Sequence, residues 1–120
     1  MSQTITVPAL QEGERYAGLI LDQDGTPTHH LILLPGDESL TFDAATEWAT
    51  SLGGVLPSRN EQSLLFANCK DQFQRDWYWS GEQHASSSSG AWGQHFGNGF
   101  QHSTNKSYEG RARAVRRLPL

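Results

Sequence analysis

The sequence predicts an α+β domain in which two helices pack on antiparallel strands, and three observations carry that expectation. Hydrophobic residues make up 36% and charged residues 18% of the chain, so most of its polarity is neutral, which fits a loop-rich β-containing domain better than a helical bundle. Apolar residues recur at helical spacing only between Phe42 and Cys69. Short apolar runs separated by turn formers lie on either side of that stretch. At 120 residues the chain is one domain's worth, and four Trp, three Tyr and five Phe are more than a solvated tail carries.

Met1 to Leu10 reads as an edge strand or an arm (Ile5, Val7, Leu10). Tyr16–Leu21 and His29–Leu34 are compact apolar runs joined by Asp22-Gln23-Asp24-Gly25-Thr26-Pro27, a turn, so the pair predicts a hairpin that Pro35-Gly36-Asp37 closes. Phe42, Ala45, Ala49 and Leu52 share one helical stripe flanked by Trp48, with Thr41 at the N-cap and Gly53-Gly54 as the stop. Ser58-Arg59-Asn60-Glu61 after Pro57 has the form of a capping box and opens a second helix reaching about Cys69. Trp77–Ser80 has strong β-propensity. Gln83 to Gly90, with four consecutive serines, reads as a flexible loop. Ala91–Phe96 and the residues from Phe100 flank Gly97-Asn98-Gly99, a hairpin turn, and Arg111–Leu118 reads as one closing strand.

Several function classes drop out. No apolar run approaches the ~20 residues of a membrane span. Met1–Leu10 lacks the basic and apolar regions of a signal peptide. Cys69 is the only cysteine, so no internal disulfide or CxxC motif exists, and a reducing host bacterial cytoplasm is the expected compartment. Residues 1–61 carry −7 and residues 62–120 carry +3. This asymmetry predicts self-association, the acidic half of one chain meeting the basic half of another. Arg111, Arg113, Arg116 and Arg117 form a basic cluster able to hold phosphate or nucleic acid, but the acidic balance favours a strand face with Arg stems over apolar neighbours.

Catalytic and metal chemistries find little footing. His29 and His30 are adjacent and point to opposite faces of a strand; His95 and His102 flank a turn but lack the four-ligand pattern of structural zinc. There is no nucleophile elbow or phosphate-cradling loop, and Cys69 reads as a buried thiol. No cofactor and no enzymatic activity are expected. Residues 77–108 instead combine Trp, Tyr, Phe, Ser, Gly, His and Asn with only Glu82 and Lys106 charged, the mixture that evolved binding surfaces use. Strand alternation predicts that Trp77 and Trp79 face inward and Tyr78 outward, with Trp92, Gln94 and Phe96 on one face. The candidate partner-contact residues are Tyr78, His84, Asn98 and His102, on the segments Glu82–Gly90 and Asn98–Thr104, together with Arg111 and Arg113.

The ordered series Asp43-Ala44-Ala45 with Trp48, Leu56-Pro57-Ser58-Arg59-Asn60-Glu61, Trp77-Tyr78-Trp79-Ser80-Gly81, Ala91-Trp92 with Phe96 and Gly99, and Ala114-Val115-Arg116-Arg117 resembles the Lcl C-terminal domain family. The resemblance covers about Thr41 to Leu118, and residues 1–40 are similar to leaders on small phage- and prophage-encoded members. Many relatives read Arg-Leu-Pro where this chain has Val55-Leu56-Pro57. The resemblance implies a C-type-lectin-like fold whose long C-terminal loops carry binding. Calcium-dependent sugar binding is disfavoured, because the Glu-Pro-Asn, Gln-Pro-Asp and Trp-Asn-Asp motifs are absent and the segment offers too few carboxylates for a cation that takes six to eight oxygens. The expectation is therefore a non-enzymatic phage or prophage protein that binds a protein partner inside the host and modulates or inhibits a defence or regulatory complex. The alternative is a virion or tail-associated display module that recognises a cell surface.

Overall fold

The structure, a computed structural model, describes residues 6–120. In chain order the elements are β1 Arg15–Leu21, β2 Pro27–Leu33, β3 Glu38–Leu40, α1 Phe42–Ser51, α2 Arg59–Cys69, a 3-10 turn Lys70–Gln72, β4 Trp77–His84, β5 Ser87–His95, β6 Gln101–Asn105, β7 Gly110–Ala112 and β8 Val115–Pro119. The strands form a three-stranded sheet, β1-β2-β8, and a five-stranded sheet, β3-β7-β4-β5-β6. The α+β class is as expected, with two α-helices among the described residues.

Local chemistry explains most boundaries. The β1–β2 turn is held by the Asp22 carboxylate, which accepts from the backbone N–H groups of Asp24 (2.9 Å) and Thr26 (3.0 Å). Thr41 sits at the N-cap of α1, and the helix ends before Gly53, whose φ of +80° favours glycine. At α2 the reciprocal capping box is complete: the Ser58 hydroxyl accepts from Glu61 N (3.2 Å) and the Glu61 carboxylate from Ser58 N (2.8 Å).

Two expectations need correction. The closing strand is two strands, because at Arg113-Ala114 the chain passes from the five-stranded to the three-stranded sheet. The serine-rich loop is a hairpin: β4 continues to His84, Ala85 and Ser86 make the turn, and His84 pairs with Ser87. Three of the four serines are thus strand residues held by pairing that composition does not report. β3 is a strand that no local pattern announces, being three residues long and carrying no alternation of its own. The edge strand or arm expected within Met1–Leu10 falls partly on residues 1–5, outside the described residues; residues 6–10 belong to no strand.

Two cores meet at β4. On one face of the five-stranded sheet, Phe42, Ala45 and Ala49 of α1 pack on Trp77, Trp79, Ala91 and Ala112. On the other, Leu65 and Cys69 of α2 pack with Ala17, Leu31, Leu33, Tyr78, Phe96 and Val115, so α2 lies between the two sheets. Gly18, at φ +132°, lets β1 approach α2; a Cβ there would sit 3.4 Å from Leu64 and Asn68.

Candidate functional site

Because β4 is covered on both faces, its alternation sorts side chains between two cores rather than between core and solvent. Trp77 and Trp79 face α1 as expected, but Tyr78 turns into the second core and is 1% exposed. Its hydroxyl donates to Asp37 Oδ2 and accepts from Gln74 N at 2.9 Å. Burial, reinforced by the Asp37 carboxylate, pushes the Tyr78 phenol up to about 12, so it stays protonated and donating at neutral pH. Arg111 Nε completes the network on Asp37 Oδ1 at 2.8 Å. Tyr78 is therefore a structural tie between β4 and the β2–β3 connection, not a contact residue.

Arg113 is corrected for a similar reason. Its guanidinium is buried, donating to the carbonyls of Leu34 (2.8 Å) and Gln72 as the chain changes sheets. The rest of the basic cluster is paired within the chain: Arg111 with Asp37, Arg116 bidentate with Glu14 (2.9 and 3.0 Å), and Arg117 bidentate with Glu61 (2.7 Å each). Acidic and basic halves thus meet inside one molecule, through Glu14, Asp37 and Glu61.

His84, Asn98 and His102 stay accessible but do not converge. Ser87 to Gln94 separates the β4–β5 turn from the β5–β6 turn, roughly 23 Å at about 3.3 Å per residue. Asn98 lies at the far end, where its Oδ1 accepts from Phe100 N at 2.9 Å and shapes the turn around Gly99, φ +82°. His102, on the edge strand β6, pairs with Gly93 and stacks on Trp77 with ring centroids 5.6 Å apart; Tyr108 meets the same indole edge-on at 5.9 Å.

His84 borders the most distinctive polar feature. Gly90 has no side chain, which leaves a hollow of about 240 Å³ with His84, Ser87 and Ser89 on one side and Ser103, Thr104 and Asn105 on the other. The His84 ring stacks on Trp92 at 5.4 Å, and the Arg59 guanidinium lies 3.7 Å over the same indole. His84 Nδ1 accepts from Ser86 N at 3.2 Å, which leaves Nε2 as the protonated nitrogen and a free donor. No residue lining the hollow is an acid, a lysine or an arginine. Hydroxyls, an amide and an imidazole line it, so it suits a neutral hydrogen-bonding ligand surface.

A larger cleft of about 470 Å³ was not foreseen. It lies between α1 (Phe42, Thr46, Thr50), the α1–α2 connection (Val55, Leu56), Glu82 of β4 and Arg117 of β8. Its polar groups are largely engaged. The Thr46 and Thr50 hydroxyls donate to helix carbonyls, Glu82 accepts from Arg59 N at 2.7 Å, and Arg117 grips Glu61. The readable signal was the Thr46–Thr50 pair, at i and i+4 beside the buried Ala45–Ala49 pair.

Among the described residues, no three His, Cys, Asp or Glu side chains come together as a metal site. His29 and His30 do face opposite ways: His29 Nε2 meets Glu61 at 2.7 Å and His30 Nδ1 meets the Tyr16 hydroxyl at 2.8 Å. Cys69 is buried, and burial raises its thiol pKa, which keeps it in the unreactive protonated form. No described helix is long and apolar enough to cross a membrane. No protein-family model matches this chain, and no curated protein matches it.

Proposed function

We propose that this chain is a non-enzymatic, phage- or prophage-encoded binding module of the C-type-lectin-like class, which acts in the host bacterial cytoplasm by binding and modulating a defence or regulatory protein complex. The observation that carries the reading is the uncharged hollow over Gly90, with its rim of histidine, serine, threonine and asparagine beside the stacked His84–Trp92 pair. Interface cores are depleted in charge, and aromatic side chains beside small hydroxyl and amide groups give rigid area with adaptable hydrogen bonding. The reading includes the resemblance to the Lcl C-terminal domain family, whose series of residues runs through the elements in chain order. Trp48 is on α1, Leu56–Glu61 leads into α2, Trp77–Gly81 begins β4, Ala91-Trp92 lies in β5 and Val115–Arg117 begins β8.

The hydroxyl lining of the hollow also favours a second reading, a display module that recognises neutral polar groups on a cell surface. Affinity capture from bacterial lysate, with and without phage infection, separates the two. The control is Gly90→Val, which fills the hollow from a position where a Cβ meets nothing closer than 3.5 Å. One cytoplasmic protein captured by the wild type and lost in the variant is the expected result. Virion or envelope components lost in the variant would establish the display reading instead. Identical capture by wild type and variant would remove the hollow from consideration.

A further inference from the structure

Among the described residues the two sheets end in four edge strands, β1, β8, β3 and β6. Three of these are guarded. β1 is bulged at Ala17, between Tyr16 and Gly18, and its register with β2 shifts again between Ile20 and Leu21, where the extra residue is Thr28 of β2. β8 carries Arg116, Arg117 and Pro119, and Val55 bridges to its first residue. β3 is three residues long and carries Glu38. Bulges, prolines, charges and shortness are the devices by which sheets prevent edge-to-edge pairing. β6 has none of them: Gln101-His102-Ser103-Thr104-Asn105 runs in unbroken register with β5 and contains no acid, lysine, arginine or proline.

The backbone parity of this edge is fixed. His95 N donates to Phe100 O (2.8 Å) and Lys106 N to Ser89 O (2.9 Å), so the even-numbered residues turn their backbone groups toward β5. Gln101, Ser103 and Asn105 therefore turn theirs outward; within the chain the Asn105 carbonyl also accepts from Tyr108 N at 3.0 Å, and the Ser103 carbonyl lies 3.4 Å from His102 Nδ1, so both would be shared acceptors in a second pairing. We propose that β6 pairs antiparallel with β6 of a second copy of this chain, with Ser103 on the twofold axis.

In that register Ser103 faces its own counterpart and Gln101 faces Asn105 of the second copy, odd against odd, as the outward backbone groups require. No two like charges meet. Phe100, 71% exposed at the start of the edge, falls opposite Lys106 of the second copy, whose ammonium within its own chain reaches Gln83 and the Phe42 ring and would turn from them to cover the Phe100 ring with its stem. The contact is isologous, closes as a dimer and joins two five-stranded sheets into one. It uses the edge backbone of β6, whose Ser103, Thr104 and Asn105 also line the hollow, and goes beyond the proposed function: sedimentation reads self-association and capture reads the partner, so either can fail alone.

A residue on a twofold axis meets itself, and this gives a specific test. Sedimentation of the full chain, monomer mass 13.3 kDa, is followed over a wide concentration range for the wild type, Ser103→Lys, Ser103→Glu and an equimolar mixture of the two variants. The expected result is a wild-type dimer, monomers for each variant alone because like charges meet at the axis, and a dimer restored in the mixture. Phe100→Lys, at an exposed position where folding is not at risk, should also weaken the dimer by setting Lys against Lys106. Amide exchange at Gln101, Ser103 and Asn105, but not at their even neighbours, should slow as the wild-type dimer forms. A wild type monomeric throughout, a dimer that survives Phe100→Lys and both Ser103 variants, or folded variants that the mixture fails to rescue would each overturn the proposal.

Discussion

Glu61→Ala is expected to lower stability by about 3 kcal/mol, the low end of what breaking a buried ion pair costs, measured as a shift in the urea unfolding midpoint. Glu61 is 1% exposed and joins three elements: it caps α2 through Ser58 N, accepts two bonds from Arg117 of β8 and meets His29 of β2. Removing it uncaps the helix and leaves Arg117 without its carboxylate. The low end applies because the Arg117 side chain is 40% exposed and water can re-solvate it. Gln at the same position keeps an acceptor for Ser58 N and should cost less.

The same carboxylate sets a pH dependence. Burial alone would raise its pKa, but the Arg117 bonds, the Ser58 N–H and His29 outweigh burial and hold it below its ordinary value of 4.5. A carboxylate whose folded pKa lies below its unfolded one contributes its full stability above the unfolded value and loses it as pH falls through the folded value. Glu14, lowered chiefly by its Arg116 hydrogen bond, acts in the same direction. Stability of the wild type should therefore fall steeply below about pH 4.5, and Glu61→Gln should flatten that fall. An unchanged acid limb in the variant would show that Glu61 is not the group responsible.

How much of this was legible follows from where the information lies. The Ser58–Glu61 capping box and the Asp22–Pro27 turn are local hydrogen-bond chemistry, and both form where the sequence places them. Tyr78 was misplaced because alternation says only that neighbours face apart, not that one face is wet; once α2 and the second sheet cover the far side of β4, both faces are inside. The arginine cluster was misjudged for a related reason. Its partners Glu14, Asp37 and Glu61 lie 56 to 102 residues away along the chain, and no local pattern announces such pairs. The hollow was legible only in part. Composition points to His84 and the serines, but Gly90, which makes the space, lies in a stretch whose composition reads as a loop.

Two glycines of β5 carry the same chemical change to opposite outcomes, and the contrast tests the packing directly. Gly93 lies against the Trp77 indole and the Tyr78 carbonyl, so a Cβ there would overlap a ring and a backbone atom. The indole has little room to retreat, because a Cβ at Gly110 would also come within 2.6 Å of it and Trp79 stands 4.5 Å away, edge to face. Gly93→Ala should therefore cost about 3 kcal/mol, the upper part of the range for overpacked cores, and should change the near-ultraviolet signal of the tryptophans. Gly90→Ala puts its methyl into the hollow at ordinary contact distances, 3.5 Å from Thr104 O and 3.6 Å from His84 Cβ, so its stability should stay within about 0.5 kcal/mol of the wild type. Thermal unfolding of the two variants side by side decides the matter. Equal losses at both sites would mean that the effect is a general intolerance of β5 to side chains; a loss at Gly93 alone locates it at the Trp77 indole, where His102 and Tyr108 also rest.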